Sequence, residues 1–291
     1  MATLSSPPDP YPKMPRLRLP AAAWDCHFHL FGPASRYRFD PASPYVSADA
    51  LPETYLELQR ALGLSRGVLV SGGPYGRDYS HLEHALEQVG PRLRGIMLAP
   101  EGLDAAEIRR LDSLGVRGLR FVSERRRGAL PPISPALAGR AFDAAGWQVH
   151  FYASDDLAAQ APRLLALPNT IVLDHFGAIK AERGVDQPAF QALLRLLDSG
   201  RVWVKLSGPM RCVAGSYPYA AVTPLARALA RHAPHRLVWG SDWPHVNLND
   251  RAMPNDGDLL DLLADWVPEE AVRTRILVDN PAALFDRAGS G

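Results

Sequence analysis

The 291-residue chain is short of cysteine, of lysine and of long apolar runs, and each shortage narrows what it can be. Its two cysteines, Cys26 and Cys212, lie far apart inside apolar segments, which argues against a disulfide framework and for a reducing compartment. Nowhere do about eighteen uncharged apolar residues run together, the length that a membrane span requires. The first twenty residues hold six prolines and no apolar run of the kind a secretory signal carries. A cytoplasmic protein without a membrane partner is expected. A net charge of +1, with 22% charged residues, implies no bulk attraction to nucleic acid. Only three of the 32 basic residues are lysines, Lys13, Lys180 and Lys205, so arginine carries nearly all the positive charge. Genomic base composition accounts for such a bias without function, but arginine also grips carboxylates through two parallel hydrogen bonds.

What is present is the composition of an ordinary globular protein, 47% hydrophobic. Residues 1–20 form a proline-rich arm, expected to wrap the surface or to lack order because proline removes backbone donors. Beyond it, short β-type runs at 23–31, 67–71, 94–99, 118–122, 148–153, 170–175, 202–207 and 236–241 alternate with segments that have apolar residues at helical spacing. Those segments cover 52–62, 79–89, 105–114, 135–145, 188–197 and 223–232. Helices interposed between apolar strands imply parallel pairing. Eight such strands, with no glycine-rich phosphate fingerprint after the first, favour one closed (β/α)8 TIM barrel over residues 21–291 rather than a doubly wound sheet. The tail at 259–285 reads as further helix interrupted near Pro268.

In such a barrel chemistry gathers where strands run into the following loops. The first strand ends in His27-Phe28-His29, and alternate strand residues share a face, so the two imidazoles can converge on one ligand or metal. The sixth ends in Asp174-His175 and the eighth in Gly240-Ser241-Asp242, and strands one and eight are neighbours in a closed barrel. His27, His29, His175 and Asp242 should therefore meet. His81 and His84 stand on a polar helix face and read as surface residues. His232 and His235 precede strand eight at the opposite barrel end. His245 and Asn247 sit in the rim loop after Asp242 and can shape a pocket, and Ser71-Gly72-Gly73-Pro74-Tyr75 is another rim loop.

A His-x-His on strand one, a histidine on strand six and an aspartate on strand eight resemble the amidohydrolase superfamily. Residues 25–33, Pro44-Tyr45, 115–121, 174–177, 205–211 and 239–247 resemble, within it, the branch that contains 2-pyrone-4,6-dicarboxylate lactonase. The resemblance implies an amidohydrolase-type barrel, a lactonase acting on a small anionic lactone, and Asp242 as the base that activates water. In that reading His27, His29 and His175 polarise the carbonyl, Arg120, Arg126 and Arg211 bind substrate carboxylates, and Tyr45 donates its hydroxyl. It also implies no cofactor, because that branch works without metal and strand four lacks the bridging lysine or glutamate of binuclear relatives. The four ligands His27, His29, His175 and Asp242 could still hold one zinc tetrahedrally. A mononuclear zinc hydrolase or decarboxylase, and a sugar-acid lactone hydrolase or isomerase, therefore stay open as alternatives. So does a non-catalytic binding protein. In one place the chain departs from the pattern: Ala178 stands where the branch carries a further arginine, so either Lys180 or Arg183 reaches instead, or one anionic group of the substrate is different or absent.

Overall fold

The structure, a computed structural model, describes residues 2–98, 100–122, 133–153, 157–248 and 251–286. Eight parallel strands line its centre: Trp24–Phe28 (β1), Arg66–Val70 (β2), Leu93–Met97 (β3), Val116–Val122 (β4), Gln148–Tyr152 (β5), Ile171–Leu173 (β6), Val202–Ser207 (β7) and Leu237–Gly240 (β8). Almost every residue in them is buried, as in a sheet covered on both faces. Each pairs with the next in chain order from β1 to β8. The ring closes just past the last strand ends. There the Asp242 amide donates to the His27 carbonyl at 2.8 Å, and the His29 amide donates to the Trp243 carbonyl at 2.8 Å.

A helix follows every strand: Pro52–Leu62 (α1), Ser80–Val89 (α2), Ala105–Leu114 (α3), Pro135–Ala145 (α4), Leu157–Leu165 (α5), Pro188–Asp198 (α6), Thr223–His232 (α7) and Asp256–Trp266 (α8). One helix not expected from the sequence is α5, which carries Pro162 in its interior, a residue that argues against a helix. Helix starts elsewhere are marked by residues suited to them, with the Asp104 and Ser134 side chains accepting from the third residue on and proline opening α1, α4 and α6.

The tail breaks after α8 and resumes at Glu270, with helices Glu270–Thr274 (α9) and Asn280–Phe285 (α10). It seals the N-terminal end of the barrel. Phe285 is fully buried and stacks on Trp24, while Asp286 binds Arg66 and Arg94 at 2.6 and 2.7 Å. Within the proline-rich arm Thr3–Ser5 forms a short strand paired in parallel with Tyr45–Ser47. Its prolines begin only at Pro7, so the three preceding residues keep the donors that pairing needs. Among the described residues no helix is long and apolar enough to cross a membrane. Cys26 and Cys212 are buried, and neither is in a disulfide.

Candidate active site

The C-terminal rim of the barrel gathers a dense set of buried ionisable groups. His27 and His29, both buried, bring their Nε2 atoms to 3.3 Å from one another. The bond partner of the His29 ring assigns its proton. His29 Nδ1 lies 2.7 Å from the Val70 carbonyl, which only accepts, so this nitrogen carries the proton and Nε2 presents a lone pair. His27 Nδ1 faces both the Lys205 ammonium, at 3.0 Å, which only donates, and Asp174 Oδ1, at 3.3 Å, which only accepts, so two opposed partners compete for this nitrogen. Lys205, Asp174, His27 and His29 form one continuous polar chain that ends on the Val70 carbonyl.

Behind it stands a second charged layer. Lys205 comes from the middle of β7 and is fully buried, and its Nζ is 3.1 Å from Asp174 Oδ1. Asp174 Oδ2 accepts from Arg120 Nε at 2.9 Å. Burial pushes the Asp174 carboxyl upward, but Lys205, His27 and Arg120 outweigh it and hold the group well below the usual carboxylate range. Burial, reinforced by Lys205, keeps His27 neutral.

Asp242 occupies the centre, in a left-handed backbone conformation with φ of 67°. Its Oδ2 accepts from Arg211 Nε at 2.9 Å. Its Oδ1 faces His175, His29 and His27 at 3.6, 3.7 and 3.9 Å. Burial works to raise this carboxyl, yet Arg211 and the surrounding imidazoles hold it well below its ordinary value. His175 opens a left-handed turn through Ala178 and sits 2.9 Å from the Ser207 hydroxyl. Burial lowers its pKa to about 4, so it is neutral. Gly208 makes this floor possible: it has φ of 52°, and a Cβ there would lie 2.8 Å from His175 Nδ1 and 3.0 Å from Asp242 Oδ2.

A cavity of about 700 Å3 opens onto these groups, with His29, Tyr45, Arg120, His175, Arg211 and Asp242 on its wall. That volume suits a small-molecule ligand. His27 stands behind the wall rather than on it. Arg120 and Arg211 line the cavity as expected, but neither is a detached fork, because each commits its Nε to a buried aspartate. Burial pushes the Tyr45 hydroxyl up to about 12, so at neutral pH it is a neutral group that can donate. Arg126 lies outside the described residues. Ala178 is buried in the interior, whereas Lys180 reaches the cavity and Arg183 does not line it.

Two histidines depart from expectation. His81 is buried rather than on the surface, stacked 3.8 Å from the Tyr75 ring, while His84 binds the Tyr37 hydroxyl, so the two do not share a ligand. The rim loop folds over this helix and covers the face that sequence alone leaves open. His245 is buried against Asp256 at 2.9 Å and does not line the cavity, whereas Asn247 does. Residue patterning left Lys205 and Asp174 without a role, although a lone lysine inside the apolar run Val202–Ser207 is itself a signal. A buried charge in a strand demands a partner.

Could a metal be held here? His27, His175 and Asp242 can each bring one donor atom within 4.8 Å of the others. The spacing suits a cation, and Asp174 Oδ1, 3.3 Å from His27 Nδ1, can accept the ring proton there and leave Nε2 free to ligate, while the Lys205 ammonium 3.0 Å from the same nitrogen adds positive charge beside the ring. His27, His175 and Asp242 are the residues that would hold one zinc.

Comparison with known proteins agrees with the geometry. An amidohydrolase family model matches residues 24–287. The chain belongs to the amidohydrolase family. A 4-sulfomuconolactone hydrolase from Hydrogenophaga intermedia is 38% identical over 95% of this chain and 92% of its own. A 2-pyrone-4,6-dicarboxylate hydrolase from Comamonas testosteroni is 35% identical over 94% and 93%. An apo crystal structure from Agrobacterium tumefaciens, 31% identical, covers 94% of this chain and 99% of its own with a TM-score of 0.85. The chain is thus an amidohydrolase of the branch that includes the pyrone-dicarboxylate hydrolases, and its barrel is the one those proteins share.

Proposed function

We propose that this protein hydrolyses a small carboxylated lactone without a metal. The observation that carries this reading is an ionised aspartate, Asp242, ringed by neutral imidazoles and an arginine on the wall of a cavity of ligand size. The names of the two relatives above, both lactone hydrolases, support the reaction class.

In this mechanism Asp242 takes a proton from water as the hydroxyl adds to the lactone carbonyl carbon. His175 on the cavity wall stabilises the oxyanion, with His27 packed behind it. The ring C–O bond then breaks, and the protonated carboxyl of Asp242 returns its proton to the departing oxygen. Arg120, Arg211, Tyr45 and Arg126 hold the anionic groups of the substrate, with Lys180 supplying the positive charge that the arginine at position 178 supplies in the pattern. The arginine beside Asp242 depresses its basicity, so an arriving carboxylate that shares Arg211 raises the basicity when substrate is present. A small panel that sets pyrone and muconolactone acids beside sugar-acid lactones tests the reading. Ring opening of the anionic pyrones or muconolactones is expected. Turnover confined to the sugar lactones would overturn the substrate class.

A further inference from the structure

The proline-rich arm sits where a disordered leader would not. Its first segment, Thr3–Ser5, pairs with Tyr45–Ser47, and Ser5 Oγ accepts from the Asn247 amide at 2.9 Å. Tyr45 and Asn247 are both on the cavity wall. One short strand therefore ties together two rim loops that come from opposite sides of the β1–β8 seam.

The remainder of the arm is fastened along α8. Asn255 Nδ2 donates to Asp9 and to the Tyr11 carbonyl, and Asn255 Oδ1 accepts from the Lys13 amide. Asp261 accepts from the Leu17 amide and from Arg16 Nε. Between these clamps the backbone presses on the helix at Gly257, where a Cβ would lie 2.1 Å from the Lys13 carbonyl oxygen. That oxygen is backbone, fixed by clamps on both sides, and cannot step aside as a flexible side chain would. Gly257 is an unexpected residue for the first turn of a helix, since alanine there would favour the helix by about 1 kcal/mol. Its presence is explained by the arm.

We infer that the arm is a strap completing the active-site wall, with Gly257 as its seat and Ser5 as its tie, and that it positions Tyr45 for the anionic end of the substrate. This inference rests on reading the cavity as the lactone site. Neither Gly257 nor Ser5 touches the cavity; both act through Tyr45 and Asn247.

The test is Gly257→Ala in the full chain, with Ser5→Ala as a second variant that leaves α8 untouched. Three readouts apply: trypsin cleavage after Lys13, Arg16 or Arg18, deuterium exchange at residues 45–47, and steady-state kinetics. In Gly257→Ala the arm is expected to become cleavable and exchange at 45–47 to rise. KM should increase roughly tenfold with kcat nearly kept, the size of one hydrogen bond to a charged group. Ser5→Ala should raise KM severalfold in the same direction. Release of the arm with unchanged exchange at 45–47 or unchanged KM would overturn the strap, and an arm that stays protected in Gly257→Ala would overturn the seat. Should the wild type open no lactone, the functional reading falls, while exchange at 45–47 still decides the strap.

Discussion

The two ends of this barrel solve the same problem, charge near an apolar core, with different outcomes. At the N-terminal end Arg66 and Arg94 close on one carboxylate, Asp286, and Arg117 Nε donates to the Phe285 carbonyl at 3.1 Å. Arg66 and Asp286 are partly exposed, the bonds point at the tail, and the aromatic plug of Phe285 on Trp24 lies beside them. At the C-terminal end Asp174 and Asp242 are fully buried, and each is surrounded by cations and imidazoles. There no apolar plug fills the centre; a cavity does. Ion pairing thus holds the chain closed at one end. At the other it fixes protonation states around open space, a prerequisite for acid–base chemistry.

This contrast can be broken at several points. Asp242→Asn should lower kcat by about a thousandfold with substrate binding largely retained, as expected for loss of a general base. Undiminished turnover would remove Asp242 from the chemistry. Lys205→Met leaves Asp174 with Arg120 as its remaining strong cation. Breaking a buried charge set of this kind costs about 3–5 kcal/mol in denaturant unfolding. The same variant removes the donor at His27 Nδ1 and leaves Asp174 as the acceptor there, so the His27 proton should reside on Nδ1, observable in nitrogen NMR of the imidazoles. Imidazole signals unchanged by the substitution would show that Lys205 does not influence the His27 tautomer.

Arg211→Met should raise KM about tenfold through loss of a charge-assisted contact. It should also change the pH profile in a defined direction. Arg211 holds the Asp242 carboxyl low, so its loss raises that pKa. Asp242 then protonates at a higher pH, and the acid limb of kcat moves upward from below the ordinary carboxylate range. A limb that does not move would show that another group controls it. The smallest effect belongs to the opposite end, where Asp286→Ala should cost about 1 kcal/mol of stability, in line with a partly exposed pair, and leave kcat and KM as they were. A kinetic effect there would erase the distinction between the two ends.

Much of this architecture is legible along the chain. Proline and aspartate mark helix starts, apolar runs mark strands buried on both faces, and the alternation of the two implies the barrel. From the barrel follows the meeting of His27, His29, His175 and Asp242, since strand ends of a closed ring share one rim. The α5 helix was hidden by Pro162, and the burial of His81 by the loop that covers it. Lys205 was visible as an anomaly within an apolar strand, but its partners, Asp174 and His27, come from strands 31 and 178 residues away in sequence.

Local patterning alone determined the elements, their order and the rim to which the reactive residues belong, because side-chain period and turn chemistry are properties of neighbours in sequence. Tertiary structure decided which carbonyl holds the His29 proton, which arginine edge is committed to an aspartate, and that the arm presses on Gly257. Each of those depends on distances between segments remote along the chain, and hydrogen-bond direction and close backbone contact have no counterpart in a one-dimensional pattern.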